Sequence, residues 1–346
     1  MVKWNQWNSK KNNFKKNSEI KSNLIYGKLS DDIPKVSIMI ITYKRVDGLK
    51  KALESALNQN YKLSYEIIVV DDSGYDAATD KLMKQYCKKY KNIIYYRHEK
   101  NLGQYANWNR ACELCRTEWY CLLHDDDMLK ENYLTEMTNL LNDVDKKTGL
   151  IGCYFEEIDS RNLKKRKGIN LFVNLFIKLR RKKPIYLTLK DNLKNIFTFS
   201  CCLFINKKKV MDIGGLDDNY FPSSDFILSA KMDYYYKTCF FPEILCYRGV
   251  GDNESLKLSV CNDSISCAYE LTYQIAKELK YNEKKSMKKA SISAVISEIG
   301  VKGYNDVDYG NVKRKLKMKK LYNNKFIIFI INLYSKYCWG KLLFRR

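Results

Sequence analysis

"VSIMIIT", residues 36–42, is a seven-residue run without a charge and rich in β-branched side chains. A strand with one wet face would alternate with polar residues, and a buried helix would need more length, so the run reads as a strand covered on both faces. Leu49, Ala52, Leu53, Ala56 and Leu57 then share one helical face, with Asp47 expected to cap that helix. After it come "EIIVV" (66–70), a helix from about Ala77 to Tyr90, "NIIYY" (92–96), a helix from about Gln104 to Cys115, and "WYCLL" (119–123). This alternation predicts an α/β chain with a Rossmann-like, mostly parallel central sheet and helices on both faces. Right-handed crossovers place the C-terminal ends of such strands on one edge, where ligands of these sheets bind.

The rest of the chain divides around that core. Residues 1–33 are rich in Asn, Lys and Ser with weak periodicity, and read as a loosely ordered arm. Residues 34–258 form the main domain, interrupted by a basic, apolar insert at 161–190. A helix at about 131–142 and a strand at "GLIGCYF" (149–155) precede the insert. Residues 259–346 read as a helical extension, with helical patterns near 264–280 and 284–299 and a basic amphipathic tail.

The formal net charge is +23, and its placement matters more than its size. Residues 161–183 hold ten Lys/Arg and residues 309–346 hold eleven, with no acidic residue in either stretch. Both stretches also carry Phe, Leu and Ile. The longest uncharged run of the tail, "FIIFIINLYS", is ten residues, short of the roughly 20 that span a bilayer. Two readings are open: a helix lying in the membrane interface, with cations at anionic headgroups, or a core helix with a solvated basic edge. No secretory signal is legible at the N-terminus, so a cytoplasmic chain is expected, peripheral at the inner face of the cell membrane. The twelve cysteines are scattered through expected strands and helices and read as free thiols. Cys112 and Cys115 make a lone CxxC without the second pair that a zinc site needs.

Against this basic background, "LLHDDDML" (122–129) sets Asp125, Asp126 and Asp127 directly behind a buried strand. Neighbouring carboxylates raise one another's proton affinity, and a divalent cation such as Mn2+ or Mg2+ reverses that penalty while recruiting phosphate oxygens. A blander reading has them cap the following helix, for which one aspartate is enough. Asp71 and Asp72 end the preceding strand in "DDSG", either as a simple turn or as acceptors for a nucleoside. There is no GxGxxG after the first strand and no GxxxxGK[ST], so a glycine cradle for phosphate is absent.

Five segments together resemble the family 2 glycosyltransferases, inverting enzymes of GT-A fold that use nucleotide sugars. They are "PKVSIMIITYKR" (34–45), "YEIIVVDDSG" (65–74), "NLGQYANWNRA" (101–111), "EWYCLLHDDDML" (118–129) and "GGLDDNYFPSSDF" (214–226). The resemblance covers about 34–255. It implies that Thr42, Tyr43 and Arg45 line the nucleotide pocket, that Asp72, beside Asp71, contacts the base, and that Asn101, Gly103 and Asn109 border the donor. It assigns the metal to Asp126 with Asp127, Asp125 lying alongside, and puts Arg248 near the diphosphate. The catalytic base would be Asp225, with Asp217 and Asp218 as second choices. Two departures stand out: His124 occupies a position where many relatives have aspartate, and Ser224 replaces the glutamate of a Glu-Asp pair.

The function implied is transfer of a sugar, from a UDP-sugar for preference, to a glycan or lipid-linked acceptor in cell-surface polysaccharide biosynthesis. A nucleotidyltransferase on a similar fold is the alternative. Nucleic-acid binding explains the basic charge but not an acidic crevice, which repels a phosphate backbone.

Overall fold

The computed structural model describes residues 3–159, 183–197, 201–250 and 257–302, together with positions 330, 331, 333, 334, 337 and 338. Most of the two basic segments, 161–183 and 309–346, therefore lies outside the described residues, as do Asn253 and its neighbours. Among the described residues, no helix is long and apolar enough to cross a membrane.

The strands are β1 (Ser22–Tyr26), β2 (Val36–Thr42), β3 (Tyr65–Asp71), β4 (Ile93–His98), β5 (Trp119–His124), β6 (Met128–Leu129), β7 (Thr148–Asp159), β8 (Ile185–Tyr186), β9 (Leu203–Asn206) and β10 (Lys237–Val250). They form one sheet in the order β1-β4-β3-β2-β5-β9-β7-β10-β6, with β8 attached to β10. β2, β3, β4 and β5 run parallel, and β9 runs antiparallel to both β5 and β7. The chain starts this parallel block in its middle at β2, adds β3 and β4 on one side, and then crosses to place β5 on the other. The gap between β2 and β5 is thus a topological switch point, where the flanking connections depart in opposite directions and leave a crevice.

Every residue of β2 is buried, as its apolar run predicts. Val36, Ile38 and Ile40 join Leu49, Leu53, Met83, Leu134 and Met137 in one core layer. Met39 and Ile41 join Tyr105, Trp108 and Ala111 in the other. Helix α1 (Val46–Leu57) turns Leu49, Ala52, Leu53 and Ala56 inward, the spacing of one helical face. Arg45, not Asp47, stands at its N-cap. Asp47 lies in the first turn, where its charge favours the positive helix end. Helices α2 (Ala77–Lys89), α3 (Gln104–Leu114) and α4 (Tyr133–Leu140) complete the layers. Two later helices, Leu258–Glu278 and Glu283–Lys302, pack on each other.

Residues 3–33 differ from the loosely ordered arm expected from composition. β1 pairs antiparallel with β4 and closes that edge of the sheet. Trp7 is buried against Tyr220, Ile227 and Leu271, and Phe14 packs beside α3 and Leu216. Asn13 donates from both its backbone N and its Nδ2 to Gly214 O, at 3.1 and 3.0 Å. Arg110 on α3 donates to the carbonyls of Asn17 and Ile20. Few apolar residues suffice here because the segment binds mainly through backbone groups, which composition does not report.

Gly214 has φ +85° and a Cβ there would stand 2.1 Å from Lys11 O. The Gly214→Ala variant should therefore lose at least the roughly 1–2 kcal/mol of left-handed strain, plus the cost of displacing this segment. Thermal melts read the loss. Limited trypsin digestion should open at Lys10–Lys21 in the variant, and an unchanged digestion pattern would contradict the clamp.

Candidate active site

The crevice at the switch point is held by one carboxylate. Asp125, at the end of β5, accepts from Thr42 Oγ1 at 2.9 Å and Tyr43 N at 3.2 Å on the same Oδ2. Arg45 Nη1 lies 3.5 Å from Asp125 Oδ1 and 3.1 Å from Asp126 Oδ2, bridging the two. Gly48 lets α1 approach, since a Cβ there would stand 2.4 Å from Asp125 O. Burial and the neighbouring Asp126 push Asp125 up to about 6, while Arg45 and the Thr42 and Tyr43 donors pull it down.

The three aspartates do not face one another as a single cluster. Asp125 looks to β2. Asp126 looks to Arg45. Asp127 accepts from Gly249 N on β10 at 3.1 Å and meets the Cys201 thiol, and burial drives its proton affinity far up. Mutual repulsion is thus offset largely by separate protein partners, a solution the sequence reading did not foresee. His124, Asp126 and Asp127 nevertheless bring one ligand atom each to within 4.8 Å of the others. His124 Nε2 is buried without a hydrogen-bond partner, its ring 4.8 Å from the Trp108 ring, and burial lowers its proton affinity. A neutral imidazole and two carboxylates are a donor set that fits a divalent cation such as Mn2+ or Mg2+.

The β3 end joins the same crevice through the backbone. Asp72 N donates to Thr42 O at 3.0 Å, and Lys44 N donates to Ser73 Oγ at 2.7 Å. Asp71 is consumed structurally, its oxygens accepting from Ser73 N and Tyr95 Oη. Asp72 accepts from Leu102 N at 2.6 Å and Gly103 N at 3.0 Å, which explains the "NLG" motif: Gly103, at φ +87°, turns the chain so that two successive N–H groups meet one carboxylate. Asn101 at the head of this turn is exposed. Asn109, read as bordering the donor, uses its amide to donate to Leu216 O and accept from Leu216 N. It thereby fixes the Gly214–Gly215 turn against α3.

That turn leads to the helix that carries Asp225, the base that the family resemblance implies. Asp217 N donates to Ser224 Oγ at 2.9 Å, Asp217 itself caps Asn219 N, and Asp218 pairs with Lys16 at 3.1 Å. Asp225 lies in the first turn of the helix Ser224–Tyr235, within electrostatic reach of Tyr105 on α3 and Cys267 on the helix Leu258–Glu278. Arg248 on β10 lies 3.6 Å from Glu157 and over the Phe155 ring. Sequence reasoning missed the roles of Trp108, Gly249 and Cys201 around the acidic turn, because their positions depend on which strands become neighbours. Cys112 and Cys115 are buried thiols of the α3 core.

Burial raises Asp72 to about 6, above the ordinary carboxylate value, so the folded state holds its proton more tightly than the unfolded chain. Stability from this group is present below pH ~4 and is lost as pH rises through about 6, a change on the order of 2–3 kcal/mol. In chelator, the stability difference between wild type and Asp72→Asn should fall across that window and level off above pH ~7. A pH-independent difference in denaturant midpoints would refute the assignment.

Comparison with known proteins places this geometry. The model of the glycosyl transferase family 2 matches residues 37–214, about half of the chain. An uncharacterized glycosyltransferase of Rickettsia typhi is 33% identical over 129 residues, 37% of this chain and 39% of its own length. The poly(ribitol-phosphate) beta-glucosyltransferase of Bacillus spizizenii is 34% identical over 107 residues, 30% of this chain and 17% of its own length. The matched stretch spans two fifths or less of the first curated relatives. Among solved structures, S. aureus TarS in complex with UDP superposes with TM-score 0.53 at 17% identity, covering 76% of this chain and 70% of that one. The mannosyltransferase PcManGT of Pyrobaculum calidifontis, in complex with GDP-Man and Mn2+, gives 0.51 at 13% identity over 93% of this chain and 90% of its own. At those identities the likeness establishes the fold, a GT-A type α/β sheet. With the family model spanning β2 through the Gly214 turn, the chain belongs to glycosyl transferase family 2.

Proposed function

We propose that this chain transfers a sugar from a nucleotide diphosphate sugar, with a UDP-sugar favoured, to a hydroxyl of a glycan or lipid-linked acceptor in cell-surface polysaccharide biosynthesis. The observation that carries the reading is the joint hold of Thr42, Tyr43 and Arg45 on Asp125 and Asp126, which sets the ends of β2 and β5 around one acidic crevice. UDP in TarS and GDP-Man in PcManGT support a nucleotide-linked donor on this fold. The relative from Bacillus spizizenii supports a polymer acceptor.

In this reading Thr42, Tyr43 and the Asp72 turn form the nucleoside side of the crevice, with Asn101, Gly103 and Asn109 bordering the donor. Asp126 and Asp127, joined by His124, would hold Mn2+ or Mg2+. Such a cation, when bound, neutralises charge on the departing diphosphate. Arg45 and Arg248 add fixed positive charge on the same side. Asp225 accepts the proton of the acceptor hydroxyl, and the oxygen attacks the anomeric carbon from the face opposite the diphosphate. The C–O bond to the diphosphate breaks as the new glycosidic bond forms, so configuration inverts. The membrane reading of 171–183 and 313–346 suits a lipid-linked acceptor and stays a proposal on segments outside the described residues, as does a peripheral place at the inner membrane face.

Thermal shift with UDP-, GDP- and dTDP-sugars, each with and without Mn2+, should single out one donor, because a ligand bound only by the native state raises its melting temperature. With that donor, Asp126→Ala and Asp225→Asn should each cut transfer by about 100-fold or more while keeping the fold. Asp225→Asn should still give a donor shift and Asp126→Ala should lose most of it. Full transfer by either variant would overturn its assignment.

A further inference from the structure

Behind the acidic turn, on the side away from Thr42, four thiols meet that are up to 93 positions apart in the chain. Cys153 comes from β7, Cys201 and Cys202 from the turn before β9, and Cys246 from β10, three strands that are neighbours in the sheet. Cys246 Sγ lies 3.6 Å from Cys201 Sγ and 3.7 Å from Cys153 Sγ, and Cys201 Sγ lies 3.6 Å from Cys202 Sγ. The sulfurs of Cys201, Cys202 and Cys246 all fall within 4.8 Å of one another, and all four residues are buried free thiols. With Zn–S bonds of about 2.3 Å, the edge of a tetrahedral thiolate site is roughly 3.8 Å, close to this spacing.

Ordinary core packing of cysteine as a small apolar residue does not account for the local backbone. Successive residues entering a strand point to opposite faces. Here Cys202 adopts φ +49°, a left-handed conformation that costs energy outside glycine, and with it the adjacent side chains of Cys201 and Cys202 come together. Tyr133 Oη donates to Cys202 O at 2.7 Å and fixes that turn. The surroundings supply further groups: the Asp127 carboxylate contacts the Cys201 thiol, and Arg248, two residues beyond Cys246 on β10, brings positive charge to bear on both.

We propose that Cys201, Cys202 and Cys246 form a structural site for a thiophilic divalent cation, Zn2+ by chemical class, with Cys153 and Asp127 flanking the fourth corner. Binding replaces three S–H protons, released to solvent, with three metal–sulfur bonds, leaving one net negative charge on the centre that the Arg248 guanidinium offsets. Through Asp127, which also holds Gly249 N, the centre braces the acidic turn from behind. Its three thiols are distinct from the His124, Asp126 and Asp127 donors, Asp127 lying between the two groups, and it does not depend on the proposed transfer reaction.

The full chain, purified under reducing conditions from cells grown with added Zn2+ and exchanged into excess Mg2+ to fill carboxylate sites, is the sample to test. Native mass spectrometry should find about one Zn2+ per chain. Growth with Co2+ should instead give a thiolate-to-metal charge-transfer band in the near ultraviolet. Cys246→Ser and Cys201→Ser should each weaken Zn2+ retention about tenfold or more against a competing chelator, while Cys87→Ser on α2 leaves it unchanged. Should the ligand variants fail to fold, the wild-type Co2+ spectrum decides alone. A wild-type chain with no bound Zn2+ and no thiolate band, a disulfide among these cysteines without metal, or a band retained in both serine variants would each overturn the proposal.

Discussion

The carboxylate of Asp125 closes the seam on which the site is built. β2 and β5 are paired through Ile41 and His124, and beyond that pair the strand ladder stops. Asp125 carries the link onward by accepting from the side chain of Thr42 and the backbone of Tyr43. A buried carboxylate is costly, and burial keeps Asp125 raised to about 6 although Arg45 and both donors act against the rise. The reward is positional: Asp126 is set at the mouth of the crevice beside Arg45, while Asp127 is turned back toward β10. Three like residues in a row serve three different neighbours.

The sheet's two halves carry different kinds of information. In β2, β3 and β5 the apolar runs are readable because burial on both faces makes most positions apolar, with buried exceptions such as Ser37 and Glu66 hydrogen-bonded to each other. The strand ends are readable because Asp71, Asp72 and Asp125–Asp127 break those runs abruptly. What the sequence could not disclose is which partner each polar group finds. Asp72 meets N–H groups 30 and 31 residues away, and Asn109 holds Leu216 across 107 positions. Each depends on the tertiary arrangement and leaves no periodic trace. The four thiols at 153, 201, 202 and 246 look scattered for the same reason.

The N-terminal segment is the clearest case of composition misleading. Its Asn and Lys residues resemble those of a disordered tail, yet Asn13, Lys10 and Lys16 pair with Gly214, Asp212 and Asp218, and Trp7 and Phe14 anchor the rest. Exposed ion pairs of this sort contribute little singly. The work is done by backbone pairing along β1 and by two buried aromatic rings. The Asn13, Lys10 and Lys16 contacts and the packing of Trp7 on Tyr220 and Phe14 on Leu216 fall on residues 212–220, so the segment shapes the turn that introduces the proposed base.

Asp225 lies beyond the stretch 37–214 that the family model matches, and its assignment rests on how that turn is built. Ser224 is 1% exposed and its Oγ accepts the N–H of Asp217. A glutamate at this position, which the family resemblance leads one to expect, would need room for one more methylene and a charged carboxylate in place of the hydroxyl, in a fully enclosed place. Serine fits the space and closes the turn from 217 to 224 with one hydrogen bond. The substitution of Ser224 for glutamate therefore removes a carboxylate without loosening the helix start. Asp225, in the first turn and partly open to solvent, remains as the carboxylate of that pair, and is the one the proposal takes as base.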